Sequence, residues 1–337
     1  MTLLCSLVHA QEAENSGRGA GLTVVSRLDG GLNYYKDEGF EFNFGNTSLY
    51  TLFEGNISEN WSFSVANHWL ASDCGCGNFQ EGIIDPTVAL YGINKPFCGE
   101  SFNNFLDWAY ITYAPGSWEF SLGKMPLIVG GFEFDEYDFD VNPMTTSLLW
   151  NSLTVYQLGA TASWTTPDEA HTFTLQVAAD QFNANPAFGL RWVGELGFWS
   201  TNYSVLFSQY SNPFASTDTY KPILSAGNRL TFEPFTVTVD YVNRCGDADF
   251  LTTDLDGHTL LSTVAYAPSE SFDVSVRCAW NQAYFEALDT RVNYYTYSLQ
   301  GNWYPMDNLR VQGCAGLMDS VAFATIGATY TFEFNLW

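Results

Sequence analysis

Five carboxylates, Glu133, Asp135, Glu136, Asp138 and Asp140, fall within the eleven residues Gly130–Asp140, interleaved with four aromatics, Phe132, Phe134, Tyr137 and Phe139. Such a run could attract cations, order water or set up an electric field. It carries too much like charge for a buried strand and too much aromatic surface for an ordinary solvated loop. It wants a polar enclosure with a wall against which its rings can lean. Charge of the opposite sign is scarce, with 12 Lys+Arg against 37 Asp+Glu and a net charge of −25. Yet Arg27, Arg191, Arg229, Arg277 and Arg310 all fall on the polar side of segments that alternate polar and apolar residues, with Arg244 at the outer end of another. Arginines opposite an acidic run would create a transverse field, which selects solutes by charge and dipole without any reaction. The plainer alternative is that these arginines line a polar interior and pair with Asp29, Asp107, Glu195, Asp240 and Asp273. Both readings require water inside the fold.

Other residue sets carry less chemistry. The four histidines, His9, His68, His171 and His258, show no Ser/His/Asp arrangement at the spacings of known nucleophile motifs, so no enzyme is expected. Asp247, Asp249, Asp254 and Asp256-Gly257 supply oxygen ligands suited to weak surface Ca²⁺, but their spacing is not that of a twelve-residue EF-hand loop. No resident metal or other cofactor is expected. Cys74-Gly-Cys76 with Cys98 and His68 is too tight for a usual Zn²⁺ finger. A disulfide, for example Cys76 to Cys98, is the better reading and leaves one thiol odd. Cys278 is predicted to face outward and Cys314 inward, so these two do not pair.

Composition limits the elements that could position such residues. The charged fraction is 15% and the aromatic fraction 17%, whereas soluble domains carry about 25% charged residues. A sheet with one face in lipid and one in water suits that mixture. Nucleic acid is excluded as a partner, because phosphate binding relies on the Lys and Arg that this chain lacks. An acidic exterior instead attracts divalent ions, including those that bridge lipopolysaccharide. No run of about 18 apolar residues is present, so a membrane-spanning chain of this kind must be a closed barrel. Met1–Ala10 reads as the tail of a secretory signal with a Val8-His9-Ala10 cleavage site, residues 11–20 as an N-terminal periplasmic segment, and 21–337 as a single barrel domain.

After about residue 20 the chain breaks into alternating segments. Phe272, Val274, Val276, Cys278 and Trp280 oppose Asp273, Ser275, Arg277, Ala279 and Asn281, and the same split recurs at 172–180, 235–244 and 322–336. Short turns at residues 58–60, 115–117, 166–169, 233–234, 268–270 and 305–308 alternate with longer connections at about 71–102, 129–150, 183–187, 211–221, 245–257 and 284–290. Trp61, Tyr113, Trp118, Trp164, Tyr266, Trp303 and Tyr304 cluster beside the turns, as an interfacial aromatic girdle requires. The expected fold is all-β, a transmembrane antiparallel β-barrel of about sixteen strands with short periplasmic turns and longer external loops. Sixteen strands leave room for an aqueous channel. The acidic run then lies in the third external loop.

The segment Leu122-Gly-Lys-Met-Pro-Leu-Ile-Val-Gly-Gly-Phe-Glu-Phe-Asp135 resembles the strand-to-loop junction of outer-membrane porins. In general diffusion porins the third loop folds inward with a Gly-Gly, aromatic and acidic sequence, to which Gly130-Gly131-Phe132-Glu133 is similar. Gly123-Lys124 before Pro126 also looks like the porin O/P type of Bacteroidota and related bacteria. One departure is Trp337, which follows Leu336 and lies out of phase with the lipid-facing residues, where barrel-assembly signals end on an aromatic residue in phase. The resemblance implies a bacterial outer-membrane location, a passive pore for small hydrophilic solutes or ions, contacts with lipid and lipopolysaccharide, and a homotrimer. Two rivals remain open at this level. One is a non-conducting structural or adhesive barrel with acidic, divalent-ion-binding surface loops; the other is a soluble secreted β-protein that binds carbohydrate.

Overall fold

Alternation is the property of the sequence that the fold uses most directly. A pleated strand sends successive side chains to opposite faces, so a period-2 pattern sorts itself into two surfaces. In the computed structural model, which describes residues 19–35, 39–43, 47–70, 106–135, 156–179, 186–210, 219–244, 255–285, 290–318 and 321–336, the sorting is plain. Leu175 and Val177 are 61% and 54% exposed on the outside, while Thr174 and Gln176 between them are 3% and 2% exposed on the inside. Phe272 and Val276 likewise point out, and Ser275, Arg277 and Asn281 point in. Apolar side chains out and polar side chains in is the inverse of a water-soluble barrel and the order of a membrane-spanning one.

Among the described residues seventeen strand elements form one sheet. They are β1 (Gly19–Tyr35), β2 (Gly39–Asn43), β3 (Ser48–Ser58), β4 (Trp61–Leu70), β5 (Leu106–Tyr113), β6 (Trp118–Pro126), β7 (Tyr156–Thr165), β8 (His171–Ala179), β9 (Pro186–Leu196), β10 (Trp199–Tyr210), β11 (Thr219–Phe232), β12 (Phe235–Arg244), β13 (Leu255–Ser269), β14 (Phe272–Phe285), β15 (Thr290–Met306), β16 (Leu309–Met318) and β17 (Val321–Asn335). Neighbours are antiparallel, and β1 closes the sheet by pairing with β17 from Gly21↔Asn335 to Tyr35↔Val321. On its other edge β1 pairs with β3 over Gly19–Arg27 and with β2 over Gly31–Tyr35. Thus β2 and β3 are two pieces of one stave, and the barrel has sixteen.

The second stave is therefore in two pieces, ending at Asn43 and resuming at Ser48. Beside the break, the Asp29 N–H donates to Thr47 Oγ1 and the Thr47 hydroxyl donates to the Asp29 carbonyl, both at 3.4 Å. A side chain thereby serves the backbone groups that a ladder partner would otherwise serve. The sequence marks the place: the outward phase runs on even positions through Phe40 and Phe42 and on odd positions after Ser48, with the polar run Gly45-Asn46-Thr47-Ser48 between.

The short turns close one end of the barrel, and aromatic pairs flank them. Trp61 stacks on Tyr113 at 4.8 Å, Trp164 on Phe173 at 6.0 Å, Phe173 on Trp192 at 6.4 Å, and Phe235 meets Tyr266 at 4.8 Å. In the β7–β8 turn, Asp168 accepts from the Thr166 hydroxyl and, at 3.3 Å, from the Ala170 N–H. The Thr166 hydroxyl first, and the Ala170 amide second, hold the Asp168 carboxyl below its ordinary range. A carboxylate lowered on folding adds stability above its unfolded pKa and loses it as pH falls through the folded value. Thr166→Ala is therefore expected to move the Asp168 titration upward by NMR, and an unchanged titration would discount the hydroxyl.

Candidate functional site: the interior and the segment that enters it

β6 ends at Pro126, and the chain does not continue along the barrel wall. Residues 127–133 turn inward and lie across the inner faces of β8 to β12. The Gln176 side chain receives the departing backbone: its Oε1 accepts from the Ile128 N–H at 2.9 Å, and its Nε2 donates to the Pro126 carbonyl at 2.8 Å. Leu127 and Val129 then pack with Ala178, Ala187, Leu206, Ile223 and Val242. These five wall residues stand on the inner faces of five consecutive strands, β8 to β12, where the pattern otherwise calls for polar side chains. They form an apolar footprint on a wet wall. Burying side chains of the Leu, Val and Ile type contributes roughly 1.5–3 kcal/mol each, enough to hold the segment at its root.

Beyond Val129 the contacts become polar. Ser204 Oγ donates to the Gly130 carbonyl at 3.2 Å and Asn202 Nδ2 donates to the Gly131 carbonyl at 3.1 Å. Gly130 has φ +95°, a turn that a side chain would strain. Residues Phe132–Asp135 form one helical turn, α1. Its first amides, Phe132 N–H and Glu133 N–H, each donate to the Asp240 carboxylate of β12 at 3.0 Å, one to each oxygen. Phe132 is 3% exposed, and the Arg229 guanidinium stacks over its ring at 4.2 Å from the centroid. Glu133 is buried beside it.

All five predicted arginines lie on the inner face. Arg27 donates through Nε to Asp29 Oδ2 at 2.7 Å, its Nη2 contacts the same oxygen, and the pair is 2% exposed on each side. Gln312 links this pair to Arg310, giving its amide to Asp29 Oδ1 at 3.3 Å and accepting from Arg310 Nε at 3.0 Å. Arg277 donates to Thr263 Oγ1 at 3.1 Å across β13–β14. Arg191 stands between Leu190 and Trp192 in inward phase, opposite Thr174 and Ser204. Thus Arg27 and Arg310 share one network, Arg229 touches α1, and Arg277 and Arg191 are placed by separate strands.

The acids expected to neutralise these arginines are engaged in different ways. Asp29 meets Arg27. Asp240 is taken by backbone amides, Asp273 accepts from Asn302 at 2.8 Å, and Glu195 accepts from Ser200 at 2.5 Å. Cys278 and Cys314 are free thiols on opposite faces. Glu136, Asp138, Asp140, Tyr137, Phe139, Cys74, Cys76, Cys98, Asp247, Asp249, Asp254 and Trp337 lie outside the described residues, as do the side chains of Phe134, Asp135, Arg244, His68 and Asp256. Among the described residues no group of three or more His, Cys, Asp or Glu side chains is placed to hold a metal.

The same architecture occurs in solved structures. The anion-selective porin from Comamonas acidovorans superposes with a TM-score of 0.62 at 9% identity, over 94% of this chain and 100% of that one. The chain has the porin fold. Salmonella typhi OmpF in complex with daunomycin gives a TM-score of 0.64 at 12% identity over 92% of this chain and 97% of the other. In-vitro folded OmpT, an outer membrane protein of Vibrio cholerae in a trimer form, gives 0.62 at 11% identity over 93% and 99%. No protein-family model and no curated protein matches the chain.

Two features of this porin-type interior were missed in the linear reading. One is the footprint: Leu206, Ile223 and Val242 are apolar residues in a polar phase on adjacent strands, a signal that registering the hairpins against one another would have exposed. The other is Asp240, which one of the two readings of the sequence pairs with an arginine and which here accepts from two backbone amides. Nothing near residue 240 announces that its partners are the amides of residues 132 and 133.

Proposed function

We propose that this protein is an outer-membrane channel for passive diffusion of small hydrophilic solutes or ions, narrowed by the third external loop opposite lumen-facing arginines. What carries the reading is the burial of Phe132 and Glu133 inside a barrel whose outer surface is apolar. A segment inside a sixteen-strand barrel reduces the free cross-section, and it carries Glu133, the first carboxyl group of the acidic run, to the interior, where low dielectric strengthens a charge's field. Arg27, Arg191, Arg229, Arg277 and Arg310 supply the opposite sign. Glu133, Asp135 and Glu136, with Asp138 and Asp140 further along, supply the acidic side. The pore acts by sorting and carries out no reaction. Its setting is lipid and lipopolysaccharide, and the trimer form of the similar Vibrio cholerae structure supports a homotrimer.

Purified protein in planar bilayers is expected to give stable conductance steps. Folded, detergent-soluble protein with no steps would return the non-conducting barrel. Neutralising the acidic side with Glu133→Gln, Asp135→Asn and Glu136→Gln together is expected to lower cation preference, read as a shift in reversal potential under a salt gradient. An unchanged reversal potential would place these carboxylates away from the conducting path.

A further inference from the structure

We infer that Asp240 is the positioning residue that fixes the inward segment against the wall, acting as a latch through which the bore of the channel is set. The inference rests on the channel reading above. Three observations converge on it. The two carboxylate oxygens each take one amide, from Phe132 and from Glu133, at 3.0 Å; these are the first donors of α1, which have no partner within the turn itself. The wall and segment also meet with no room for side chains. A Cβ on Gly131 would lie 2.2 Å from Asp240 Oδ1 and 3.1 Å from the Gly227 Cα, and one on Gly227 would lie 2.5 Å from the same oxygen and 3.0 Å from the Gly131 Cα. Finally, Arg229 caps the Phe132 ring on the adjacent strand, so the residue carrying one of the bound amides is clamped on its other side.

The chemistry favours a carboxylate at this position. It has no hydrogen to place, so it accepts from both amides at once, and hydrogen bonds to a charged acceptor are about twice as strong as neutral ones. An asparagine offers one acceptor oxygen and turns an NH₂ toward the second amide, where donor faces donor. The apolar root at Leu127 and Val129 holds the segment where it leaves β6, but it lies upstream of the Gly130 turn. The first amides of α1 are held to the wall by Asp240. With both oxygens committed to the amides, Asp240 belongs to the mechanical support of the segment and not to the acidic side of the pore.

The test uses the full-length protein refolded in detergent, with heat-modifiable migration confirming the barrel. Amide-resolved hydrogen exchange is expected to show slow exchange at Phe132 and Glu133. In Asp240→Ala both should exchange faster by about one to two orders of magnitude, the range for losing hydrogen bonds to a charged acceptor. In Asp240→Asn one of the two amides should lose protection and the other keep most of it. Gly227→Ala, which keeps Asp240 in the chain but wedges a Cβ against its Oδ1 and against Gly131 and Phe132, should reproduce the Asp240→Ala pattern, and it carries the test if Asp240→Ala fails to fold. In bilayers these variants should show a larger unitary conductance and a noisier open level. Asp273→Asn alters another inner-face carboxyl group, one that bonds Asn302 and not the segment, and should change neither exchange nor noise. Unaltered protection in Asp240→Ala and Gly227→Ala would overturn the latch whatever the channel does. Protected amides in a wild-type protein that never conducts would instead overturn the channel reading and leave the latch standing.

Discussion

Arg27→Ala is expected to destabilise the folded barrel by about 3–5 kcal/mol, the loss typical of removing one partner of a buried ion pair. Arg27 and Asp29 are each 2% exposed, so neither recovers much hydration inside the wall. Without Arg27, the Asp29 carboxylate would keep the Gln312 amide at 3.3 Å, a neutral donor at long range. It has little space in which to turn away, because it lies over Gly327, where an added Cβ would come within 1.4 Å of Oδ1. The same residue borders the interruption between β2 and β3 and relies there on two weak contacts to Thr47. The substitution thus removes charge compensation in the stretch of β1 that lies between its ladders with β3 and with β2. Denaturant unfolding of the refolded barrel measures the loss. Arg27→Ala with Asp29→Ala should recover most of it, since no charge is then left buried alone. A double variant no more stable than the single one would show that the cost lies in lost packing of the arginine stem.

Leu175→Arg is expected to cost about 2–4 kcal/mol, the range for a cation placed toward the midplane on the lipid face of a barrel. Leu175 is 61% exposed, and in a water-soluble protein a change at such a site stays within about 0.5 kcal/mol. The two environments therefore give opposite answers for one substitution. Unfolding from lipid vesicles is the measurement, and a neutral result would mean that this face meets water. It would also revive the soluble carbohydrate-binding reading, which the outward apolar surface now argues against.

Much of the wall was readable one residue at a time. The alternating segment 235–244 coincides with β12, and the inward placement of Arg27, Arg191, Arg229, Arg277 and Arg310 follows from phase alone. Turn chemistry was clear at most reversals, where Pro, Gly, Asp and Asn interrupt the pattern, but not between β9 and β10, where Gly197-Phe198 turns the chain with a single glycine. The slip between β2 and β3 was legible only as a change of phase from Phe42 to Ser48, which one strand read by itself passes over as noise. Val242 likewise looks like noise in a polar phase until Ala178, Ala187, Leu206 and Ile223 stand beside it.

The acidic stretch at Gly130–Asp140 marks the boundary between the two kinds of knowledge. Its composition demanded a polar enclosure, and the strand order placed it in the third external loop. Its landing site was decided by contacts between residues 107 and 108 positions apart, Glu133 and Phe132 with Asp240. Alternation is local, imposed by the pleat on each residue and the next. Docking is not local, because Asp240 and Gly227 face Gly131 only after closure of β1 on β17 bends the sheet around a common interior. The pattern of side chains was enough to make a wall with a wet face and a greasy face, and the curvature of that wall determined what the loop would meet inside.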